Sequence, residues 1–184
     1  MGVKQPFTSE ISLATREHGG TDTLGAARFD FSTNSNPCGP CPAALQAVVH
    51  ADASRYPDAN YTELRAQLAA FHAVEPWRVL LGGSASEFIF RITGWVVQRG
   101  GRSVNLPRHA YGDYVQAATA WGLKSVPQAH DADLVWACEP SSPLGGPHTH
   151  WPRGFSSPTV LDCAYEPLRL EGEATLTQAQ RAQV

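Results

Sequence analysis

The chain has 184 residues, 42% of them hydrophobic and 17% charged, with 16 glycines and 14 prolines. At roughly 150 residues per domain this is one domain and a little, turn-rich and neither disordered nor collagenous. Fourteen basic against 17 acidic residues give a net charge of −3, which removes the electrostatic case for a nucleic-acid or anionic-membrane partner.

Residues 1–39 are irregular, broken at His18-Gly19-Gly20 and Asn34-Ser35-Asn36-Pro37, and read as an arm or loop entry. The opening MGVKQPFTSEISLATREHGG has no apolar stretch of signal-peptide type. No segment approaches the roughly 18 uncharged apolar residues of a membrane-spanning helix. A cytoplasmic protein is expected, with its four cysteines as thiols rather than a disulfide framework.

From Pro42 to about Asp52 the chain reads as a helix, with Leu45, Val48 and Val49 on one face. Asn60 with Glu63 predicts a capping box, opening a helix whose stripe is Leu64, Leu68 and Phe71. Trp77 to Leu81 predicts a short buried strand ending at Gly82-Gly83. Ser84 with Glu87 forms a second capping box, for a helix through Gln98 with Phe88, Ile89, Ile92 and Val96 facing a core. Strands follow at Ser103–Leu106, Lys124–Val126, Leu134–Cys138 and Thr159–Asp162. A helix from Tyr111 to Trp121 ends with Gly122 in the position that favours a left-handed backbone. Thr175 to Val184 has helical propensity. Strands alternating with helices predict an α/β fold, a mostly parallel sheet with helices on both faces in three layers. Ligands of such sheets sit beyond the carboxyl ends of the strands.

The polar residues after each apolar run are therefore the candidates. Gly82-Gly83-Ser84-Ala85-Ser86-Glu87 joins a strand to a helix, where free N–H groups favour a phosphate and Ser86 adds a hydroxyl. An ordinary well-capped turn explains the same residues. Asp162 ends a strand, where a carboxylate can hold a pyridinium nitrogen protonated, or cap a helix, or bind metal. Tyr111 and Tyr114 can stack on a planar ring, although aromatics there more often belong to the core. Cys38-Gly39-Pro40-Cys41 has the form of a thioredoxin-like redox motif, yet Asn34-Ser35-Asn36-Pro37 stands before it instead of a strand. Zinc held by Cys38, Cys41, His148 and His150 would need a separation far beyond finger spacing, so no metal is expected. His50, His72, His109 and His130 look scattered and structural.

Taken in order, His18-Gly19-Gly20, Asp30-Phe31-Ser32, Asn34 to Pro40, Tyr56-Pro57-Asp58, Leu64-Arg65 and the Gly82–Glu87 turn resemble the fold-type I pyridoxal-phosphate enzymes. Within them the chain is most similar to threonine-phosphate decarboxylases of cobalamin assembly and to histidinol-phosphate aminotransferases. The resemblance runs from about residue 16 onward, and the early His-Gly-Gly tilts it to the decarboxylases. It implies that Ala85 and Ser86 bind the cofactor phosphate, that Tyr111 stacks on the ring, and that Asp162 pairs with the ring nitrogen. Tyr165 would lie near the 3-oxygen, and Tyr56 would reach the phosphate in a neighbouring subunit, hence a homodimer. His18, Gly19 and Asn36 would border a phosphorylated amino-acid substrate. Cys38 and Cys41 would occupy variable loop positions.

Two departures follow. Glu139-Pro140-Ser141-Ser142-Pro143-Leu144-Gly145 stands where the family carries Asn-Pro-x-Asn-Pro-x-Gly, so Ser142 replaces the asparagine that faces the 3-oxygen. The chain has 12 arginines but only two lysines, Lys4 and Lys124, and neither matches the family's cofactor-bearing lysine. The resemblance places that lysine beyond Asp162, where 22 residues follow without one. The expectation is an amino-terminal arm (1–39) and an incomplete cofactor-binding domain (40–184), with the small domain outside the chain. The expected parent activity is decarboxylation of L-threonine O-3-phosphate. The alternatives are transamination of histidinol-phosphate type, an inactive fragment, and a thiol redox protein.

Overall fold

The computed structural model describes residues 19–142 and 144–184, and these fall into two compact units that meet in sequence between Leu81 and Gly82.

The unit from Gly82 onward is built on a parallel sheet. Its strands are β1 (Ser103–Asn105), β2 (Lys124–Ser125), β3 (Leu134–Cys138) and β4 (Thr159–Asp162), in the order β2-β1-β3-β4. All three pairings are parallel, with Val104 opposite Leu134 and Cys138 opposite Asp162. Every residue of β3 is buried. A central strand covered on both faces must be apolar throughout, and Leu134-Val135-Trp136-Ala137-Cys138 is. Helix α3 (Ala85–Gln98) lies before β1, and α4 (Gly112–Ala120) carries the chain from β1 to β2. Ile89 and Val96 of α3, Tyr114, Ala117 and Ala118 of α4, and Val104, Leu134 and Trp136 of the sheet form one core. The α/β architecture and the strands at 134–138 and 159–162 are those the alternation predicts. Helix α4 starts one residue late, with Tyr111 as its N-cap, and Gly122 follows it with φ +71°.

After β3, Glu139 is buried at 2% exposure. It accepts the Thr175 N–H at 2.7 Å, the Thr175 hydroxyl, the His148 N–H at 3.1 Å and an Arg169 N–H at 3.3 Å. Burial alone would raise this carboxyl, but the donors of Thr175, His148 and Arg169 outweigh it and hold it below the ordinary glutamate value. The carboxylate thus fastens the segment after β4 to the end of β3. Short helix α5 (Gln178–Arg181) closes the unit behind a Thr177–Gln180 capping box.

The unit up to Leu81 carries helices α1 (Pro42–Val49) and α2 (Thr62–His72). Three expectations change here. The predicted α2 stripe is not buried: Leu64 and Phe71 are exposed, and Ala69 is the helix's one buried residue. The Asn60–Glu63 box does not form. Tyr61 sits at the N-cap, and Asp58 accepts the N–H groups of Asn60 and Thr62 at 2.9 Å each, so the aspartate two residues earlier takes the capping role. Trp77 to Leu81 is no strand. Pro76 sets the backbone of a 3-10 turn at Pro76–Arg78, and Leu80 is exposed. Arg65 closes this turn by donating to the Val79 and Pro76 carbonyls at 3.2 and 3.0 Å. Among the described residues no helix is long and apolar enough to cross a membrane.

Candidate functional site

Helix α3 opens at the Gly82–Ser84 turn. Ser84 caps it, its hydroxyl accepting the Glu87 N–H at 3.2 Å. The other half of the predicted box is displaced by one residue, because the Glu87 carboxylate accepts from Gly83 N–H at 2.7 Å. That bond is the main reason the Glu87 carboxyl lies below its usual range, with Arg91 as a second cause. Ala85 and Ser86 form the first turn, and the Ser86 hydroxyl donates to the Asp113 carboxylate in the first turn of α4. Asp113 is fully buried.

The next residue, Tyr114, continues the chain of contacts. Its ring stacks on Trp136 of β3 with centroids 4.6 Å apart, and meets Tyr111 edge-on at 6.1 Å. Its hydroxyl donates to Asp162 at the end of β4, at 2.5 Å. Burial, reinforced by the Asp162 carboxylate, pushes the Tyr114 phenol far above its ordinary value, so it remains a donor. The second Asp162 oxygen accepts the Ala164 N–H at 2.9 Å. Two donors on a carboxylate with about four acceptor positions leave room for another. Beside it, burial raises the Cys138 thiol.

Ser86, Tyr111 and Asp162 are thus linked at the carboxyl end of the sheet through Asp113 and Tyr114. Of these two connecting residues, Asp113 is not among the sequence candidates, although an acid in a first helical turn is a signal for it. Tyr114 is a candidate for ring stacking, but its ring stacks on Trp136, and its link to Asp162 spans 48 positions, beyond any local pattern.

The remaining predicted residues separate. Tyr165 is half-buried at the start of the 3-10 turn after β4, at Glu166–Leu168. Ser142 is half-buried in the turn that Ser141 closes with Gly145 and Gly146. No hydrogen bond among the described residues joins the Ser142 hydroxyl to Tyr165 or Asp162. In the other unit, Tyr56 is fully exposed. Asn36 spends its side chain on its own turn, donating to the Gly39 carbonyl and accepting from Cys38 N–H, both at 3.0 Å. Gly19 is required by packing, since a Cβ there would stand 2.1 Å from the Ser32 carbonyl oxygen. His18 lies outside the described residues. Cys38 and Cys41 are free and exposed, and backbone N–H groups of Ala44 and Ala43 lower the Cys41 thiol at the start of α1. Among the described residues no three His, Cys, Asp or Glu side chains form a metal-holding group.

No family model matches the chain. It is 33% identical over 134 residues to the histidinol-phosphate aminotransferase of Jannaschia sp. (strain CCS1), covering 71% of this chain and 37% of that protein. The histidinol-phosphate aminotransferase of Ruegeria pomeroyi is 42% identical over 87 residues, covering 46% of this chain and 24% of that one. Among solved structures, histidinol-phosphate aminotransferase from Sinorhizobium meliloti, in complex with pyridoxal-5'-phosphate, matches with TM-score 0.58 and 24% identity, over 70% of this chain and 42% of that chain. L-threonine-O-3-phosphate decarboxylase from Porphyromonas gingivalis matches with TM-score 0.52 and 20% identity, over 74% and 46%. The chain matches little more than a third of the length of the Jannaschia protein.

Proposed function

This chain is related by sequence and fold to the fold-type I pyridoxal-phosphate aminotransferase superfamily, and we propose that it supplies the cofactor-holding part of such an enzyme, acting on a phosphorylated amino compound. The observation that carries the reading is the continuous link from Ser86 through Asp113 and Tyr114 to Asp162. Free N–H groups at a helix start, an aromatic ring and a strand-end carboxylate match the phosphate, the ring face and the ring nitrogen of a phosphorylated pyridine. When bound, pyridoxal phosphate supplies an electron sink for charge released at a substrate's α-carbon.

The chain's own residues then have separate tasks. The first turn of α3, at Ala85 and Ser86, holds the phosphate. Tyr111 covers a ring face. Asp162, oriented by Tyr114, would keep a proton on the ring nitrogen, and Tyr165 and Ser142, the latter in place of an asparagine, would serve the 3-oxygen. By the resemblance, His18, Gly19 and Asn36 would be the substrate-binding residues, and Tyr56 would serve the site of a second subunit in a cytoplasmic homodimer. Division into an arm (1–39) and a cofactor domain (40–184) belongs to the same proposal.

Transamination of histidinol-phosphate type is favoured by the Jannaschia and Ruegeria relatives, both of that name. Decarboxylation of L-threonine O-3-phosphate is the second reading, favoured by His18-Gly19-Gly20 with Asn36-Pro37-Cys38-Gly39-Pro40. Titration of pyridoxal phosphate into the protein, followed by tryptophan fluorescence, tests the shared core. Binding should weaken by about tenfold or more in Asp162→Ala, from loss of a charge-assisted bond, and Tyr56→Ala should leave the one-subunit contacts unchanged. Saturable binding indifferent to Asp162 overturns the reading. Carbon dioxide release from threonine phosphate, against amino transfer from histidinol phosphate to a 2-oxo acid, separates the two activities.

A further inference from the structure

The unit from Gly82 onward holds a cavity of about 580 Å³ whose lining includes none of Ser86, Asp113, Tyr114 and Asp162. Its walls come from the loop between β1 and α4, the 3-10 turn before β3, and the segment between β3 and β4. Six cationic or titratable side chains line it: Arg108, His109, His130, His148, His150 and Arg153. Four of the chain's seven histidines are therefore gathered in one place, and His109 and His130, which look scattered in sequence, are among them. No aspartate or glutamate is among the described residues that line it, although the whole chain carries a net charge of −3.

The partners of these groups sharpen the point. Arg55, Arg91, Arg169 and Arg181 each face a carboxylate. Arg108 and Arg153 form no ion pair among the described residues. His130 has one acid nearby, Asp131 at 3.5 Å, outside the lining. His148 is nine-tenths buried, gives its backbone N–H to Glu139, and packs edge-on against Trp151 at 4.6 Å. Its Nε2 has no hydrogen-bond partner among the described residues. A buried polar atom left unpaired is costly and calls for a partner. Two unpaired guanidinium forks with imidazoles around them fit an oxyanion, above all a phosphate. The volume lies within the range of small-molecule sites.

We propose that this cavity binds a phosphate-bearing small molecule, with Arg108 and Arg153 as the principal anion holders and the four histidines as supporting donors. The site stands apart from the cofactor reading and does not depend on it.

Two measurements on the intact protein test it. Inorganic phosphate is titrated while the imidazole carbon–proton resonances are followed, with sodium chloride at matched ionic strength as control. The resonances of His109, His130, His148 and His150 should move together and saturate, while those of His50 and His72 stay still. Calorimetry then compares the parent with Arg108→Gln/Arg153→Gln and with Arg102→Gln, an exposed arginine outside the cavity. The double variant should lose about tenfold or more in phosphate affinity, as expected for lost charge-assisted bonds, and Arg102→Gln should keep it within about twofold. A phosphomonoester such as phosphoethanolamine binding more tightly than orthophosphate identifies an ester as the occupant, and equal affinity identifies the free anion. No saturable histidine shift up to about 10 mM phosphate, a range that reaches binding free energies of a few kcal/mol, overturns the proposal. So does an equal shift in chloride, or a double variant that binds phosphate as tightly as the parent. Should the double variant fail to fold, the histidine titration of the parent still decides.

Discussion

The two units show what amphipathic periodicity does and does not determine. Helix α3 carries apolar residues three and four apart, and so does α2. In α3 that stripe meets α4 and the sheet, and Ile89 and Val96 fall to 2% and 3% exposure. In α2 the stripe meets little, and Phe71 is 82% exposed. The local sequence signals are alike, but the unit from Gly82 onward has a four-stranded sheet to cover, and the unit before it has no sheet among its described residues. Helical stability comes mostly from such packing rather than from propensity.

Truncating one aromatic in each unit should separate the two units most sharply. Trp136 is 2% exposed and sandwiched against Tyr114, so Trp136→Ala should cost about 3–5 kcal/mol. Phe71→Ala should change stability by only about 0.5 kcal/mol, as for surface positions. Urea denaturation midpoints measure both. A comparable loss at Phe71 would mean that the α2 face is covered in solution.

The next effect lies wholly within the packed unit. Glu139→Ala removes a buried acceptor serving Thr175, His148 and Arg169, and should cost about 3 kcal/mol. The same carboxyl gives a pH signature. Its folded value is depressed, so the unfolded chain takes up the proton first. The stability it contributes is complete above the unfolded glutamate value of about 4.3 and is lost as pH falls through the folded value. Glu139→Gln should therefore flatten the acid limb of the stability curve below that value. An unchanged limb would place its origin elsewhere.

Glu139 also marks the boundary of what the sequence reveals. The strands at 134–138 and 159–162 were legible because β-branched and apolar runs between turn residues leave few alternatives, and Asp162 was legible as the residue ending such a run. The positions that join the site were not. Asp113 and Tyr114 gain their roles from Ser86 and Asp162, 27 and 48 positions away, and Glu139 from Thr175, 36 positions on. Such pairings depend on register and strand order, which periodicity does not encode. The Trp77–Leu81 run failed for a related reason: an apolar run becomes a strand only beside a partner, and Pro76 starts a turn there instead.

The smallest predicted effects separate the two helix starts, α3 capped by the expected serine and α2 by a residue other than the expected asparagine. Ser84 caps α3 through Glu87 N–H, so Ser84→Ala should cost about 1 kcal/mol. Asn60 accepts nothing at the start of α2, and its own N–H goes to Asp58, so Asn60→Ala should leave stability and helix content unchanged. The loss should appear instead in Asp58→Ala, which strips acceptors from Asn60 and Thr62. Because the Thr62 and Asn60 N–H groups depress the Asp58 carboxyl, its support for α2 should be complete above the ordinary aspartate value of about 3.9 and fade as pH falls through the depressed one. Backbone amide shifts of Thr62 and Glu63, followed through an acid titration of parent and both variants, check this directly. A titration present in the parent, kept in Asn60→Ala and absent in Asp58→Ala is the expected pattern. If Asn60→Ala abolishes it, the capping box operates in solution and the aspartate is secondary. The distinction rests on a two-residue shift: Tyr61 enters α2 through a left-handed backbone at φ 48°, and the Asp58 carboxylate accepts the Thr62 N–H there.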